Sequence, residues 1–221
     1  MKRLLPIIAS LAASLAAPAA LAQADSSARP AAQAPPSAAD DGQARAATIR
    51  NLQNAASGEA NAAHRYELFA RKADQEGYGQ VAKLFRAAAE SEQIHQRNHE
   101  AVLRSLGEQP ACPRLEKVTV GDTRANLKVP LEGEKNEASE MYPRYAQMAQ
   151  AAGIPAATRT FTYAGQTEQE HLHLFEDALR QLGSNPPADY YVQSESGMLT
   201  EQRPARVAAV TAPAQASSQQ G

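Results

Sequence analysis

Apolar residues recur along this chain in alternating steps of three and four, the spacing that places them on one face of an α-helix. Four such stripes follow one another. The first two stripes are Leu52, Ala56, Glu59, Ala63, Tyr66, Ala70 and Ala73, and then Val81, Phe85, Ala88, Glu92, His95, His99 and Val102. The other two are Leu127, Leu131, Glu134, Tyr142, Tyr145 and Ala149, and then Ile154, Ala157, Phe161, Ala164, Glu168, His171, Phe175, Ala178 and Leu182. The pattern predicts four amphipathic helices, and the segments between them show no strand pattern.

The connections between these helices predict the topology. Glycines that suit helix C-termini follow the stripes at positions 77, 107, 153 and 183. Turns at 77–79 and 153–155 are short enough to make each helix pair antiparallel, whereas 108–124 is long enough to cross the bundle. The predicted fold class is therefore all-α, a ferritin-like four-helix bundle with one long crossover connection, spanning residues 45–184.

The two helix pairs are copies of one another. The run from Ser91 to His95 matches the run from Thr167 to His171, and Tyr66 matches Tyr142, all at an offset of 76 residues. At the two Gly-Glu pairs that contain Glu59 and Glu134 the offset is 75 residues. A long period present only twice indicates an internally duplicated helical hairpin.

Each apolar stripe carries a carboxylate near its middle, and an unpaired ionised carboxylate is very costly in a core. The second and fourth helices add a histidine three residues after the glutamate, on the same helix face. The predicted metal ligands are Glu59, Glu92, His95, Glu134, Glu168 and His171, with Glu137 as a seventh. Glutamate and imidazole donors suit two iron ions, with manganese possible. The alternative is a set of buried ion pairs without metal.

The third helix contains one residue more than the first between its glutamate and its tyrosine. Such insertions are usually absorbed as a π-bulge, often at a functional site. The bulge would turn Glu137 towards the metals, whereas the first helix has Ala62 at the aligned position. Glu137, Tyr66 and Tyr142 are accordingly the predicted catalytic residues, although each tyrosine could instead be a plain core residue.

The remaining histidines and the single cysteine are predicted to play smaller parts. His99 lies on the second stripe, where a core or ligand-supporting role is favoured over ligation, and His64 and His173 are expected to be solvated. Cys112 could pair between subunits or stay free, and we expect a buried structural thiol. The net charge of −2 favours neither nucleic acid nor acidic lipid as a partner.

The N-terminus has the layout of a secretory signal peptide over residues 1–24. Lys2 and Arg3 precede an apolar stretch that ends in A-x-A sites, so the mature chain is expected to begin at Gln23 or Asp25, outside the cytoplasm and in a periplasmic compartment. An uncleaved membrane anchor is the alternative; after cleavage no membrane partner is expected. Residues 25–44 and 205–221 are rich in small and polar residues and are predicted to be a disordered linker and tail.

These motifs together resemble the rubrerythrin family over about residues 48–192. The resemblance rests on Gly58-Glu59, Glu92-x-x-His95, the run from Val120 to Leu127, Gly133-Glu134-x-x-Glu137 with Met141-Tyr-Pro143, and Glu168-x-x-His171. It implies a di-iron site that reacts with hydrogen peroxide or oxygen, and a homodimer.

One segment departs from the family pattern. Full-length members carry a C-terminal rubredoxin-like domain with an aromatic-Tyr-Val-Cys-x-x-Cys-Gly run that passes electrons to the di-iron site. This chain has Gln193 and Ser196 at the two cysteine positions. Residues 185–204 therefore resemble a relic of that domain without its iron, and the electron donor is expected to be external. The expected activity is reduction of hydrogen peroxide; oxidation of Fe²⁺ as a ferroxidase, or metal binding without catalysis, are the alternatives.

Overall fold

A computed structural model describes residues 38–202 of the chain. Its helices are α1 (Ala38–Gln75), α2 (Gly79–Ser105), α3 (Thr123–Asn136), α4 (Tyr142–Ala151) and α5 (Pro155–Arg180). A π-helix, Glu137–Met141, joins α3 directly to α4, so these three elements form the third long helix of the bundle. Two short strands follow, β1 (Asp189–Val192) and β2 (Leu199–Gln202). The predicted four-helix bundle with a single long crossover is confirmed.

The start of α1 corrects one predicted boundary. The helix begins at Ala38, within the stretch predicted to be a disordered linker up to residue 44. Residues 38–47 are mostly Ala, Gln, Arg and Asp, and alanine has the strongest helix propensity, so the sequence extends the helix without an apolar stripe. The predicted signal peptide, the rest of the linker and the tail at 205–221 lie outside the described residues.

The ends of the helices follow the glycine pattern. Gly77 and Gly153 adopt positive φ angles of 81° and 66°, and the residue after each returns a backbone hydrogen bond to the preceding helix. Where the crossover between α2 and α3 ends, Asp122 caps α3 by accepting a hydrogen bond from the backbone N–H of Ala125 at 2.7 Å. Glu76 at the end of α1 accepts hydrogen bonds from the backbone and hydroxyl of Thr123, which fixes where α3 starts.

The core consists of two apolar clusters on either side of the buried polar residues. One cluster surrounds Phe69, Phe85 and Phe175, and the other surrounds Phe161 and Tyr142. The polar ligand residues lie between these clusters along the helices, so the apolar packing closes the site off from above and below. No helix in residues 38–202 combines the length and apolar character needed to cross a membrane.

The crossover between α2 and α3 runs over the surface without regular secondary structure and is held by amide side chains of α1. Gln53 donates to the carbonyl of Gln109 at 2.8 Å and accepts from the N–H of Ala111 at 2.8 Å. Cys112 lies next to these contacts and is exposed and unpaired, so the expectation of a buried thiol is wrong. A short irregular segment with prolines on both sides offers no core in which to bury it.

A β-hairpin after α5 was not predicted from the sequence. Strands β1 and β2 pair antiparallel, with Asp189 opposite Gln202 and Val192 opposite Leu199. Leu199 is fully buried and belongs to the cluster around Phe85, which anchors the hairpin to the bundle. Strands of four residues lie at the lower limit of length at which an alternating pattern can be recognised in a sequence.

Candidate metal centre

Six of the seven predicted ligands meet in the middle of the bundle. They are each at most 2 % exposed and come from all the long helices: Glu59, Glu92, His95, Glu134, Glu168 and His171. Their donor atoms form two groups of four, within each of which every donor atom lies within 4.8 Å of the others. One group contains Glu59 and His95, the other contains Glu134 and His171, and both include Glu92 and Glu168. Two ions with two shared carboxylates would fit this arrangement.

Both imidazoles direct the same nitrogen at the carboxylates. His95 Nδ1 lies 3.1 Å from an oxygen of Glu92 and 3.1 Å from an oxygen of Glu168. His171 Nδ1 lies 2.9 Å from Glu168 and 3.3 Å from Glu92. Glu-x-x-His on α2 and on α5 therefore delivers one oxygen and one nitrogen to a common point, as the repeated motif predicts.

The hydrogen bonding of these groups tests whether they fit a metal pair. Within the described residues, both oxygens of Glu168, one oxygen of Glu134, both ring nitrogens of His171 and Nε2 of His95 are buried without a hydrogen-bond partner. Buried polar atoms are normally satisfied, and so many orphaned acceptors at one point favour cations as their partners. The donor set of carboxylates and imidazoles suits iron or manganese. The residues present therefore fit a di-metal centre.

The electrostatics of the metal-free site show an excess of negative charge. Burial, reinforced by neighbouring carboxylates, raises the pKa of Glu59 well above its ordinary value and the pKa of Glu134 to about 8. Burial alone would lower the pKa of His95, but Glu168 and Glu92 raise it to about 9. Without metals the cluster holds protons at neutral pH, and metal ions would displace them.

Two tyrosines hydrogen-bond to ligands across the bundle. Tyr66 on α1 donates its hydroxyl proton to Glu134 on α3, and Tyr142 on α4 donates to Glu59 on α1. Burial and the facing carboxylates raise the pKa of both phenols well above the ordinary value. Both hydroxyls therefore stay protonated, and each holds one carboxylate by a hydrogen bond.

The surroundings of the two tyrosines differ. The ring of His99 stacks on Tyr142 at 5.8 Å, its Nε2 lies 3.4 Å from the Tyr142 hydroxyl, and its Nδ1 lies 3.1 Å from the hydroxyl of Thr160. In the other half of the repeat, Phe175 occupies the position of His99 and packs 5.3 Å from Tyr66. Burial and the charge of His95 lower the pKa of His99 to about 3, so this ring is neutral. His99 belongs to neither ligand group, as predicted.

The inserted residue of the third helix is absorbed by the π-helix that starts at Glu137. Tyr142 and Tyr145 return to the buried face beyond it, which confirms the predicted bulge. Glu137 belongs to neither ligand group in this structure. It is half-buried and lines a cavity of about 220 Å³ together with Glu134, Tyr66 and Arg65, and its charge acts on Glu59 and Glu168. Burial raises the pKa of Glu137 to about 9.

The structure also reveals contacts on the far side of His95 that the sequence reasoning missed. The turn between β1 and β2 approaches α2, where Ser91 donates to the carbonyl of Gly197 at 2.6 Å and Asn98 donates to the carbonyl of Glu195 at 2.9 Å. His64 is half-buried and His173 is exposed, and neither joins the centre. The available signal was Ser91 itself, a buried polar residue one turn before His95 on the apolar face.

A four-helix bundle with one crossover and a buried Glu/His constellation on all four helices defines the ferritin-like di-metal carboxylate proteins. Comparison with known sequences narrows this class. The family model for Rubrerythrin matches residues 50–179, more than half of the chain, and the protein belongs to the rubrerythrin family.

Individual relatives agree with this assignment. Nigerythrin of Nitratidesulfovibrio vulgaris is 36 % identical over 138 residues, covering 60 % of this chain and 66 % of the relative. Rubrerythrin-2 of Clostridium acetobutylicum is 35 % identical over 136 residues, covering 60 % of this chain and 72 % of the relative.

Solved structures agree on the fold. The fully reduced, all-ferrous state of nigerythrin superimposes with a TM-score of 0.65 at 28 % identity, covering 71 % of this chain and 77 % of that one. A bacterioferritin of Desulfovibrio desulfuricans superimposes with a TM-score of 0.60 at 23 % identity, covering 64 % and 83 %, a likeness of fold alone.

Proposed function

We propose that this protein is an exported di-iron oxidoreductase that reduces hydrogen peroxide, with electrons from an external donor. The observation that carries the proposal is the pairing of a buried six-ligand centre with a half-buried carboxylate outside both ligand groups, Glu137, at the wall of a cavity. Nigerythrin, which is similar to this chain, has been observed in an all-ferrous state. We extend iron to this chain on that likeness and on the donor set, with manganese as the competing metal.

The charges of the residues explain why such a centre tolerates a change of oxidation state. The six-ligand set contains four carboxylates and two imidazoles. The four carboxylates would balance the charge of two ferrous ions, and the carboxylate of Glu137 would add a fifth negative charge beside the centre when the ions are oxidised. When bound, the two iron ions would supply the electrons that break the O–O bond of hydrogen peroxide.

Reduction of one hydrogen peroxide to two waters consumes two electrons and two protons. Glu137, at the wall of the cavity, would supply one proton, and solvent would supply the other. In the metal-free site, burial raises the pKa of the Glu137 carboxyl to about 9, so this group holds a proton at neutral pH. Transfer of that proton to a departing hydroxide would leave Glu137 as the carboxylate that the oxidised centre requires. Glu137 thereby couples proton delivery to charge compensation.

Tyr66 and Tyr142 would keep two of the carboxylates in place during this proton transfer. The hydroxyl of Tyr66 engages Oε1 of Glu134, whose Oε2 lies 3.6 Å from Nδ1 of His171. The hydroxyl of Tyr142 engages Oε1 of Glu59, the oxygen that also lies 3.8 Å from Nδ1 of His95. The cavity beside Glu134 and Glu137 is of a size to admit peroxide or oxygen and leads to one side of the centre. Arg65 on its wall keeps the entrance from being wholly acidic.

Export to a periplasmic compartment rests on the N-terminal sequence, and the homodimer rests on the family resemblance. Residues 190–197 support the proposal of an external electron donor. Gln193 and Ser196, at the cysteine positions of the resemblance, hydrogen-bond to each other at 2.8 Å. Neither residue is a ligand that would hold a rubredoxin-type iron.

The replacement of the two cysteines by Gln193 and Ser196 also supports a second candidate function. In it the protein is a ferroxidase or iron-handling protein that oxidises Fe²⁺ as its substrate. Such an activity needs no electron donor, because the substrate itself supplies the electrons. A metal-binding bundle without catalysis is the third possibility.

One experiment separates the three. Mature protein is loaded anaerobically with Fe²⁺, its iron content is measured, and it is mixed by stopped flow with peroxide and with oxygen. Repeated oxidation and re-reduction by peroxide and an added reductant would support the peroxidase. Net Fe²⁺ oxidation beyond two equivalents would support the ferroxidase, and the absence of both reactions would leave metal binding alone.

A further inference from the structure

The hairpin turn at residues 193–198 lies directly against a metal ligand. A Cβ atom on Gly197 would stand 2.5 Å from Nε2 of His95 and 3.3 Å from the carbonyl oxygen of Ser91. Distances below about 3 Å are closer than real Cβ atoms approach, so only glycine fits here. The turn therefore touches the edge of the imidazole opposite to Nδ1, the nitrogen that faces the carboxylates.

Several contacts hold the turn in this place. The Ser91 hydroxyl, itself fully buried, donates to the Gly197 carbonyl at 2.6 Å, and Asn98 donates to the Glu195 carbonyl at 2.9 Å. These residues lie one turn before and one turn after His95 on α2. Ser91 and Asn98 therefore hold the turn against the imidazole ring of His95.

The turn is also rigid in itself. Gly197 has a φ of 80° and donates its N–H to the carbonyl of Gln193 at 2.8 Å. The Ser196 hydroxyl donates to the Gln193 side chain at 2.8 Å and accepts from the N–H of Met198 at 3.1 Å. The residues that stand at the cysteine positions therefore close the turn with hydrogen bonds. Leu199, which follows Met198, is fully buried in the core.

We infer that the hairpin turn 193–198 is a positioning element of the metal centre, in which Gly197 fixes the imidazole of His95 so that Nδ1 faces the carboxylates. Groups behind metal-binding imidazoles orient them, and their loss commonly weakens metal binding roughly 10- to 100-fold.

The duplication of the chain makes the inference specific to one half of the site. Thr167 on α5 corresponds to Ser91 on α2, and it is equally buried. Its hydroxyl donates to the carbonyl of Tyr163 in its own helix at 3.0 Å instead of reaching another segment. We therefore expect the turn to affect metal binding at the position that contains His95 and Glu59 more than at the position that contains His171 and Glu134.

The test replaces Gly197 by alanine in the mature full-length protein, with Gly107→Ala as the control. Gly107 has a φ of 84°, and a Cβ atom there would meet no other atom within 4 Å, so its substitution carries the same backbone strain without the contact. Anaerobic Co²⁺ titrations followed by visible absorption give the affinity and spectrum of each bound ion. Gly197→Ala should weaken one of the two ions roughly 10- to 100-fold and change its spectrum, while Gly107→Ala leaves both unchanged.

Equal behaviour of the two variants, whether both bind as wild type or both lose affinity, would overturn the inference. If Gly197→Ala does not fold, the comparison of Ser91→Ala with Thr167→Val tests the inference, since each variant removes one buried hydroxyl. Weakening of one ion by Ser91→Ala but not by Thr167→Val supports the inference, and equal effects overturn it.

The inference rests on the proposed di-metal centre, and the two can fail separately. If wild-type protein does not bind two ions, the proposed function fails. The turn is then tested without metal, by NMR of the histidine rings. A shifted and broadened His95 signal in Gly197→Ala but not in Gly107→Ala supports the positioning role, and an unchanged signal overturns it.

Discussion

Replacement of Glu137 by alanine should leave two metals bound and remove most of the reaction with peroxide. Both ligand groups are complete without Glu137, because its oxygens belong to neither. Its π-helical turn carries the carboxylate beside the cavity and close enough for its charge to act on Glu59 and Glu168. Binding of the ferrous pair should therefore change little, whereas the oxidised pair loses one of five compensating charges.

The size of the effect follows from that charge. A unit charge about 4 Å from another interacts with it by about 4 kcal/mol at an effective dielectric constant of about 20. If about half of this interaction has developed in the transition state, the loss is about 2 kcal/mol, which makes the reaction roughly 30-fold slower. Loss of the proton held by Glu137 would add to this, so 30-fold is a lower bound.

The assay is anaerobic Fe²⁺ loading, iron analysis, and stopped-flow mixing with peroxide. Glu140→Ala is the matched control, since Glu140 lies on the same π-helical turn but is exposed. The control should retain both the iron content and the rate. Wild-type peroxide kinetics in Glu137→Ala would show that the carboxylate takes no part in the reaction. Loss of one iron ion would show that it is a permanent ligand.

The other predictions concern the ligands, the tyrosines, the pH dependence and the processing of the chain. Because Glu92 and Glu168 belong to both ligand groups, replacing both with alanine should abolish binding of both ions, and retention of two ions by metal analysis would disprove the shared-carboxylate arrangement. Tyr142→Phe should slow the peroxide reaction more than Tyr66→Phe, since only Tyr142 contacts His99 as well as a ligand; equal rates by stopped flow would contradict this. Metal-free protein should lose stability as pH rises above the ordinary Glu pKa of 4.5, because folded Glu134 and Glu137 keep protons that the unfolded chain releases, up to pKa values of about 8 and about 9. The slope is up to about 1.4 kcal/mol per pH unit for each group. Urea unfolding at several pH values measures this slope, and Glu137→Gln should reduce it. Mass spectrometry of the native protein should find an N-terminus at Gln23 or Asp25, and an intact Met1 in the cytoplasm would refute export.

The bundle and most of its centre could be predicted because they repeat at helical period. Each ligand lies on an apolar stripe. A buried charge is costly, so carboxylates at the same place in all four stripes predict a shared metal site. The π-helix could be predicted for a related reason: comparison of two copies of one hairpin exposes a single inserted residue. Duplication thus supplied the internal alignment that a single sequence normally lacks.

Features without a copy could not be predicted in this way. The hairpin occurs once, its strands are short, and its contact with His95 joins residues about a hundred positions apart, so no local pattern records it. The exposure of Cys112 likewise depends on the path of an irregular crossover. The start of α1 was placed too late because alanine-rich sequence was assigned to a linker, although the same composition favours a helix.

The departures from the repeat all fall around one centre, which indicates how a symmetric hairpin pair becomes a directional site. The six ligands are related in pairs by the duplication, so by themselves they would make both metal positions equivalent. Glu137 replaces Ala62 beside the cavity, His99 replaces Phe175 behind a tyrosine, and the Ser91 hydroxyl leaves its helix where that of Thr167 returns to its own. Each change leaves the ligands in place and alters what surrounds one of them. The peroxide reaction proposed for this centre would depend on such inequality, and in this chain the inequality arises from the residues behind the ligands.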